Sequence, residues 1–544
     1  MIMDRKYRRK FSKISTIVIV LILFYLNIVF PLLNPTISKK LDISVDFLNG
    51  SDDIFHQSCD AINIWDISHV PNNMSEFKEQ HPTIDTIVLM TATGGRSSGT
   101  NDYVHRDVNG TLVYDFTNLT TNVDKIVDAG LKIEIVIGNI PHALANSTSF
   151  SPDDYGAFDA LTLPPGNITE YRYYIQNLTS TCVSEYGLDN VSMWEWRLMT
   201  EPDNRDWWTG SVEEYIDLWI ATFSEIKNLI PNASLVLGNM AFHDDFAFPQ
   251  AVLNALKEEN STLLPDTVSF SYYHSLENPP PPNDLEYLIE MWSEFVNSLD
   301  LNKDIVISCE EGFILHDEDG KRLWLGDGTE LGAAWEGWMM TSSRKEKFKR
   351  FVQWDTQVDG YLSPRGFVHL MAERMDGMEL VDIDIASNLL TYEYLGGIAV
   401  RANDSNKFYI MLYNYFPRRN IDLDTTVDLK IKGLASSTYN FSHYRVNKYQ
   451  HNWFTQWLVD VGSIENNETL FDSIEGSRYD LSVGSRFKHP DAWLYWWNWK
   501  QAHSPPSRTL YSYNSFNREI ESNFTSFKVN ISVNSVELIE IIKC

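Results

Sequence analysis

Cysteine is scarce, with four in 544 residues. That is too few for a disulfide-built scaffold, and no Cys/His cluster has zinc spacing. Positive charge is short as well: 44 Lys and Arg against 74 Asp and Glu give a formal net charge of −30. Neutralising phosphates needs a basic face, so the composition argues against a nucleic-acid binder. No G-x-G-x-x-G or Walker motif follows an early strand, which removes the usual mark of a doubly wound nucleotide-binding sheet. There is no repeat of fixed period and no low-complexity tract. Aromatic residues, in contrast, are plentiful: 17 Trp, 26 Tyr and 28 Phe supply more buriable surface than disordered chains carry. The length suffices for at least one large core and roughly two to four domains.

Long apolar runs are also rare, and the one that stands out is at the amino terminus. Arg5, Lys6, Arg8, Arg9, Lys10 and Lys13 precede an uncharged, mostly apolar stretch beginning at Ile14. About 20 residues match the bilayer core. The run ends in FPLLNP without a small-residue cleavage site, so it reads as a retained anchor rather than a signal peptide. The expected organisation is a basic cytoplasmic tail (1–13), a transmembrane signal-anchor helix (14–34) and a lumenal stem (35–56). Basic flanks stay cytoplasmic, which makes this a single-pass type II membrane protein with its bulk lumenal or extracellular. Fifteen N-x-[ST] sequons, from Asn49 to Asn530, agree with that placement and suggest a glycoprotein. In such a compartment Cys59 and Cys182 are a candidate pair, although connectivity is not legible from sequence.

From residue 57 onward, short β-branched runs alternate with helical stretches. The expected strands are 61–67, 83–92, 131–141, 191–202, 234–242, 266–274, 304–313 and 350–356. Amphipathic segments such as VEEYIDLWIATFSEIKNLI (212–230) lie between them. Near-continuous apolar strands separated by helices form parallel sheets covered on both faces. Eight such units fit a (β/α)8 TIM barrel over 57–380. Beyond that, strands follow one another without helices and with Asn, Asp and Gly turns, as in a C-terminal β-sandwich domain over 381–544.

Chemistry in such barrels sits at the C-terminal ends of the strands. The fourth run closes with LMTEPDN (198–204) and the seventh with ISCEEG (307–312). Carboxylates at strands four and seven face each other across the barrel mouth. Glycoside hydrolysis uses such a pair: one protonated acid for the leaving oxygen, one carboxylate for the anomeric carbon.

These segments carry a resemblance. WEWRLMTEPDNRDWWTGSVEEY (194–215) resembles the strand-four motif W-x-F-E-x-W-N-E-P of glycoside hydrolase family 39, the β-xylosidase and α-L-iduronidase family. YDFTNLTTNVDKIVDAGLKIEIVIGNIPHAL (114–144), VDGYLSPRGFVHLM (358–371) and DAWLYWWNWKQAHSPP (491–506) resemble further stretches of it in order. The resemblance implies a retaining glycosidase with Glu201 as general acid/base and Glu310 as nucleophile. Glu311 is the alternative nucleophile, because a one-residue shift along a strand exchanges them; the E-x-G spacing favours Glu310. Tyr273 matches a tyrosine that hydrogen-bonds the nucleophile, and Trp354 is a candidate sugar platform. His274 is a candidate pocket residue. Thr200 stands where the family has Asn, the residue that reads the sugar 2-hydroxyl, and Ser271 stands where it has His.

The expected function is therefore a membrane-anchored retaining glycoside hydrolase, β-xylosidase-like or related, needing no metal or other cofactor. Its partners would be a carbohydrate substrate and a membrane engaged through residues 14–34. No motif speaks to oligomeric state. Two alternatives compete: a catalytically impaired glycan-binding protein on a hydrolase scaffold, motivated by Thr200, and a lumenal glycosyltransferase. The latter's D-x-D motif occurs only as DED (317–319), DID (382–384) and DLD (422–424), unsurprising in an acidic chain. Since the clustered basic residues lie in the tail, the remainder is more acidic than −30 suggests. That disfavours sulfated polyanions and favours neutral sugars.

Overall fold

A computed structural model describes residues 39–544, apart from 91–93, 100–101, 276–278, 316–328, 345–346, 355–356, 359–360, 387–393, 405, 418–423, 454–497, 500 and 503–508. The expected anchor 14–34 and most of the 491–506 motif lie outside these residues. Among the described residues no helix is long and apolar enough to cross a membrane.

Strand β1 (Lys39–Ile54) comes first, followed by β2 (Ala61–Ile64), β3 (Thr86–Leu89) and a short hairpin of β4 (Val104–Arg106) with β5 (Leu112–Tyr114). Next are β6 (Lys132–Ile137), β7 (Glu195–Leu198), β8 (Ser234–Met240), β9 (Thr267–Ser275), β10 (Val306–Leu315) and β11 (Phe348–Gln353). Strands β2, β3 and β6–β11 close into a barrel in chain order, all eight pairings parallel. These are the eight runs expected from sequence, so β7, β9, β10 and β11 are barrel strands four, six, seven and eight. Each is covered because the chain between strands forms an amphipathic helix. Val212–Leu229, for example, starts with a Ser211–Glu214 capping box and buries Tyr215, Leu218, Trp219, Phe223 and Ile226 on one side.

After the two-residue strands β12 (Gln357–Val358) and β13 (Tyr361–Leu362), the chain forms β14 (Glu379–Ile385), β15 (Tyr394–Arg401), β16 (Lys407–Tyr415), β17 (Thr425–Lys432) and β18 (Ser437–Val446). It ends with β19 (Asn514–Ile520), β20 (Phe524–Ile531) and β21 (Ser535–Lys543). One continuous nine-stranded sheet results, in the order β19-β18-β21-β16-β15-β14-β1-β17-β20. The sheet folds over its own core: Phe516 on one edge strand meets Phe527 on the other, ring centroids 6.0 Å apart.

Two expectations change here. Residues 39–54, assigned above to the stem, are an interior strand of this sheet. β1 pairs antiparallel with β14 and parallel with β17. The reason is a period-two pattern: Leu41, Ile43, Val45 and Phe47 alternate inward and are all buried. Each such burial contributes about 1.5–3 kcal/mol, more than a solvated stem would gain. The β domain is thus completed by the chain's beginning as well as its end. Second, Cys59 and Cys182 are both buried and unpaired. Cys182 lies in the helix Ile168–Tyr186.

The two domains share packing. Trp338, on the helix Glu330–Ser342, stacks on Tyr415 of β16 and touches Tyr394 of β15. Gly337 beside it sits where a Cβ would come 2.9 Å from Tyr413, so the close approach requires glycine.

Candidate active site

Inside the barrel two layers differ in chemistry. The deeper one is ionic. Arg350 of β11 bonds Glu134 of β6, Glu195 of β7 (2.7 Å) and Glu310 of β10 (3.2 Å). Arg197 of β7 bonds Glu134 at 2.7 Å. All except Glu195 are buried in the barrel interior. Burial works to raise the Glu310 carboxyl, but Arg350 and Arg197 overcome it and hold Glu310 near 2. Glu134 moves the other way, to about 8, through burial and the charge of Glu310.

The upper layer, at the C-terminal mouth, holds its carboxylates without salt bridges among the described residues. Glu311 accepts hydrogen bonds from the Thr200 hydroxyl, from Asn239 Nδ2 (2.8 Å) and from Tyr273 (2.7 Å). Burial and the adjacent carboxylates Glu311 and Glu201 raise the Tyr273 phenol, which keeps it a donor. Glu201 accepts from Ser271 (2.8 Å), Trp207 Nε1 (3.0 Å) and Asn204 (3.2 Å). Its carboxyl is pushed up to about 7 by burial and by the negative charge of Glu311. Asn239 links the two sides: its Nδ2 also reaches Ser271 at 2.9 Å, and its Oδ1 accepts from Arg197 at 2.5 Å.

Local backbone explains how two adjacent glutamates serve two layers. The β9–β10 ladder pairs Cys309 with Phe270 and then Glu311 with Ser271, leaving Glu310 as the extra residue of a β-bulge. Alternation lapses at a bulge, so Glu310 and Glu311 both turn toward the barrel axis, one downward and one toward the mouth. The Glu310 carbonyl, freed from the ladder, accepts from Asn63 of β2 at 2.8 Å. Glu201 sits on an equally irregular turn: Met199 and Glu201 both have positive φ, 61° and 43°. The turn is pinned by Glu201 N–H to Asn239 O (3.0 Å) and by Asp203, which accepts from the amides of Ala241 and Phe242. Gly238 makes room for it, since a Cβ there would lie 2.8 Å from the Met199 carbonyl.

Aromatic rings rim the mouth at the ends of four strands. Trp65 follows β2, Phe158 lies in the loop after β6, Trp207 follows β7 and Trp354 follows β11. Trp65 is 4.9, 5.6 and 6.1 Å from Phe158, Trp207 and Trp354, centroid to centroid. Trp354 Nε1 lies 3.4 Å from the Tyr273 hydroxyl.

Two facing carboxyls, one raised and one held by neutral donors, under a rim of aromatic rings at a barrel mouth, are the apparatus of glycoside hydrolysis. Residues 100–280 match the family described as glycosyl hydrolases family 39. Over that third of its length the chain is similar to glycosyl hydrolase family 39. Among curated family relatives, a β-xylosidase of Caldicellulosiruptor saccharolyticus is 27% identical over 146 residues, which is 27% of this chain and 29% of that protein. One from Geobacillus stearothermophilus is 25% identical over 187 residues, 32% and 36% of the two chains. The matched sequence thus spans about a third of those relatives' length. The fold likeness is wider. The GH39 enzyme from Xanthomonas axonopodis pv. citri aligns over 94% of this chain and 98% of its own, with TM-score 0.67 and 12% identity. A monomeric β-xylosidase from Caulobacter crescentus CB15 aligns over 93% and 100%, with TM-score 0.66 and 14% identity.

Within the barrel, Glu201, Thr200, Tyr273 and Trp354 lie together at the C-terminal mouth. Glu310 does not. It was the expected nucleophile, but it is enclosed beneath the site and bonded to Arg350, and Glu311 occupies the facing position. This placement of Glu310 and Glu311 follows from the bulge, which no periodicity argument registers. The His274 side chain lies outside the described residues. Thr200 turns its hydroxyl to Glu311, and Ser271 turns its own to Glu201. Asn239, Trp207, Trp65 and Phe158 were missed. For Asn239 a signal existed: a lone amide in the apolar run LVLGNM (235–240) at the C-terminal end of a barrel strand.

Proposed function

We propose that the chain is a retaining glycoside hydrolase, β-xylosidase-like, with Glu201 as acid/base and Glu311 as nucleophile. The observation that carries this reading is the contrast between the two carboxyls: Glu201 raised to about 7, Glu311 served by three neutral donors. A raised carboxyl stays protonated at neutral pH and donates to the glycosidic oxygen as Glu311 attacks the anomeric carbon. Once the glycosyl–enzyme forms, the charge on Glu311 is spent. Glu201 then acidifies and accepts the proton of the water that releases the sugar. The likeness to two β-xylosidases supports a β-xyloside substrate.

Activity, rather than glycan binding alone, is supported by Asn239. The amide that family members carry beside the acid/base is absent at Thr200, and a different amide, from β8, reaches Glu311 instead. The transferase alternative gains nothing from DID (382–384), which lies on β14 in the other domain. The test is hydrolysis of an aryl β-xyloside followed by proton NMR. The first-formed product keeps the substrate's anomeric configuration if the reading is right; inverted product, or no hydrolysis, overturns it.

The same reading places the enzyme on the lumenal or outer side of a membrane, held by residues 14–34. None of the fourteen sequon asparagines among the described residues is buried, which supports glycosylation. Only residues 35–38 separate the proposed span from β1, so the β domain would stand directly on the membrane. Protease protection of the tagged carboxyl terminus in sealed microsomes tests this: full protection is expected, and digestion without detergent contradicts it.

A further inference from the structure

Phe158 is an apolar ring left 69% exposed and held in a costly backbone. It and Asp159 have φ of 52° and 60°, the left-handed region that non-glycine residues rarely adopt. Two consecutive residues there persist only where the surroundings over-determine them, and here they do. Ala157 N–H bonds Asp206 O (3.0 Å), Gly156 N–H bonds Ala160 O (2.8 Å), and Ser97 N–H bonds Asp159 O (3.0 Å). A Cβ on Gly156 would overlap the Asp206 carbonyl. The loop is therefore fastened to the segment after β7, which carries Glu201 and Trp207, and to the one after β3.

The ring lies near-parallel to Trp207, 26° between planes and centroids 6.3 Å apart, and tilts against Trp65 at 4.9 Å. Trp207 donates to Glu201 Oε2. Trp354 lies against Tyr273 and hence Glu311, and Trp65, 6.1 Å from Trp354 and 5.6 Å from Trp207, sits between the two groups. The acid must reach the glycosidic oxygen, and the other substituent of that oxygen is the leaving group. Rings grouped around the acid consequently face the leaving group, and rings grouped around the nucleophile's tyrosine face the sugar being transferred.

We propose that Phe158, with Trp207, forms a leaving-group subsite for a flat ring with an apolar face, either an aryl aglycone or a second sugar. Aromatic surfaces pack well against such faces. The backbone strain at 158–159 keeps the ring presented rather than folded inward. This rests on the glycosidase reading above and goes beyond it by assigning what flanks the bond that is cut.

The test compares methyl β-xyloside, phenyl β-xyloside and β-1,4-xylobiose with wild-type protein, Phe158→Ala and Phe158→Gly. Both variants should lower kcat/KM about five- to tenfold, through KM, on the substrates with ring leaving groups, and leave the methyl glycoside within twofold. A loss confined to phenyl xyloside marks an aryl-selective site, and a loss confined to xylobiose marks a sugar-selective one; either supports the subsite. Equal losses on all three substrates, or none on any, overturn it. Phe158→Gly separates recognition from folding, because glycine relieves the left-handed strain; its melting temperature should equal or exceed that of the wild type. Calorimetric titration of phenyl against methyl β-xyloside into Glu311→Gln protein gives a readout independent of turnover. If the wild type hydrolyses nothing, yet the phenyl ligand's advantage in binding disappears with Phe158→Ala, the glycosidase reading fails and the subsite stands.

Discussion

Glu310 and Glu311 are neighbours in sequence and opposites in environment. Glu310 is bonded to Arg350 within a layer of two guanidiniums and three carboxylates that fills the lower barrel. Glu311, one peptide unit on, is held among the described residues by a hydroxyl, a phenol and an amide. Two guanidiniums favour the charged form of a carboxylate and so lower its basicity, which makes it a poorer nucleophile. Neutral donors orient it and leave its charge available. The difference shows how a barrel can be ionic in its lower layer and still hold a second, facing pair of carboxyls on neutral donors at its mouth.

The sharpest way to break this comparison is to remove each glutamate in turn. Glu311→Ala should lower kcat by on the order of 10^4-fold or more with the fold intact, as loss of a nucleophile does. Glu310→Ala should leave Arg350 under-compensated and cost about 3–5 kcal/mol of stability, while kcat per folded molecule stays within about tenfold. Steady-state kinetics alongside urea denaturation separates the two; a reversed pattern would return Glu310 to the chemistry.

Asn239→Ala comes next. It removes a donor from Glu311 and from Ser271, so kcat should fall on the order of 10^2-fold with KM nearly unchanged. A change in KM alone would assign Asn239 to substrate binding instead.

Glu201 supplies the pH dependence. Catalysis needs it protonated, so kcat/KM should fall as pH rises through about 7. Its effect on stability has the same direction. The folded carboxyl holds its proton more tightly than the unfolded one, so its stabilising contribution is fully present below the ordinary glutamate range. That contribution is lost as pH rises through about 7. Glu201→Gln should remove the loss and leave the variant more stable than wild type at pH 8, by on the order of 2 kcal/mol. Calorimetric melting at pH 5 and pH 8 checks this; parallel pH dependence in the two proteins would contradict it. The smallest expected effect belongs to Ser271→Ala. The Ser271 hydroxyl favours the charged form of Glu201, so its removal should move the basic limb upward by less than about one pH unit.

Much of this was legible beforehand, for identifiable reasons. The eight barrel strands announce themselves because buried parallel strands are continuous β-branched runs between helices. Glu201 stands out because a carboxylate ending such a run is expensive unless used. The choice between Glu310 and Glu311 was not legible because alternation presumes a regular ladder, and the ladder here is interrupted at Glu310 itself. β1 was missed because a single strand beside a hydrophobic terminus looks like a linker until its partners, β14 and β17, arrive more than 300 residues later. Asn239 escaped for a related reason: the amide expected beside Glu201 is supplied from the next strand, a substitution visible only once the strands are aligned in space.

The central claim, that the bulge hands the reaction to Glu311, is tested most directly by trapping the glycosyl–enzyme. A 2-deoxy-2-fluoro-β-xylosyl fluoride slows release of the intermediate, and tandem mass spectrometry of the peptide spanning 304–321 locates the label. The label is expected on Glu311; a label on Glu310 would contradict the account.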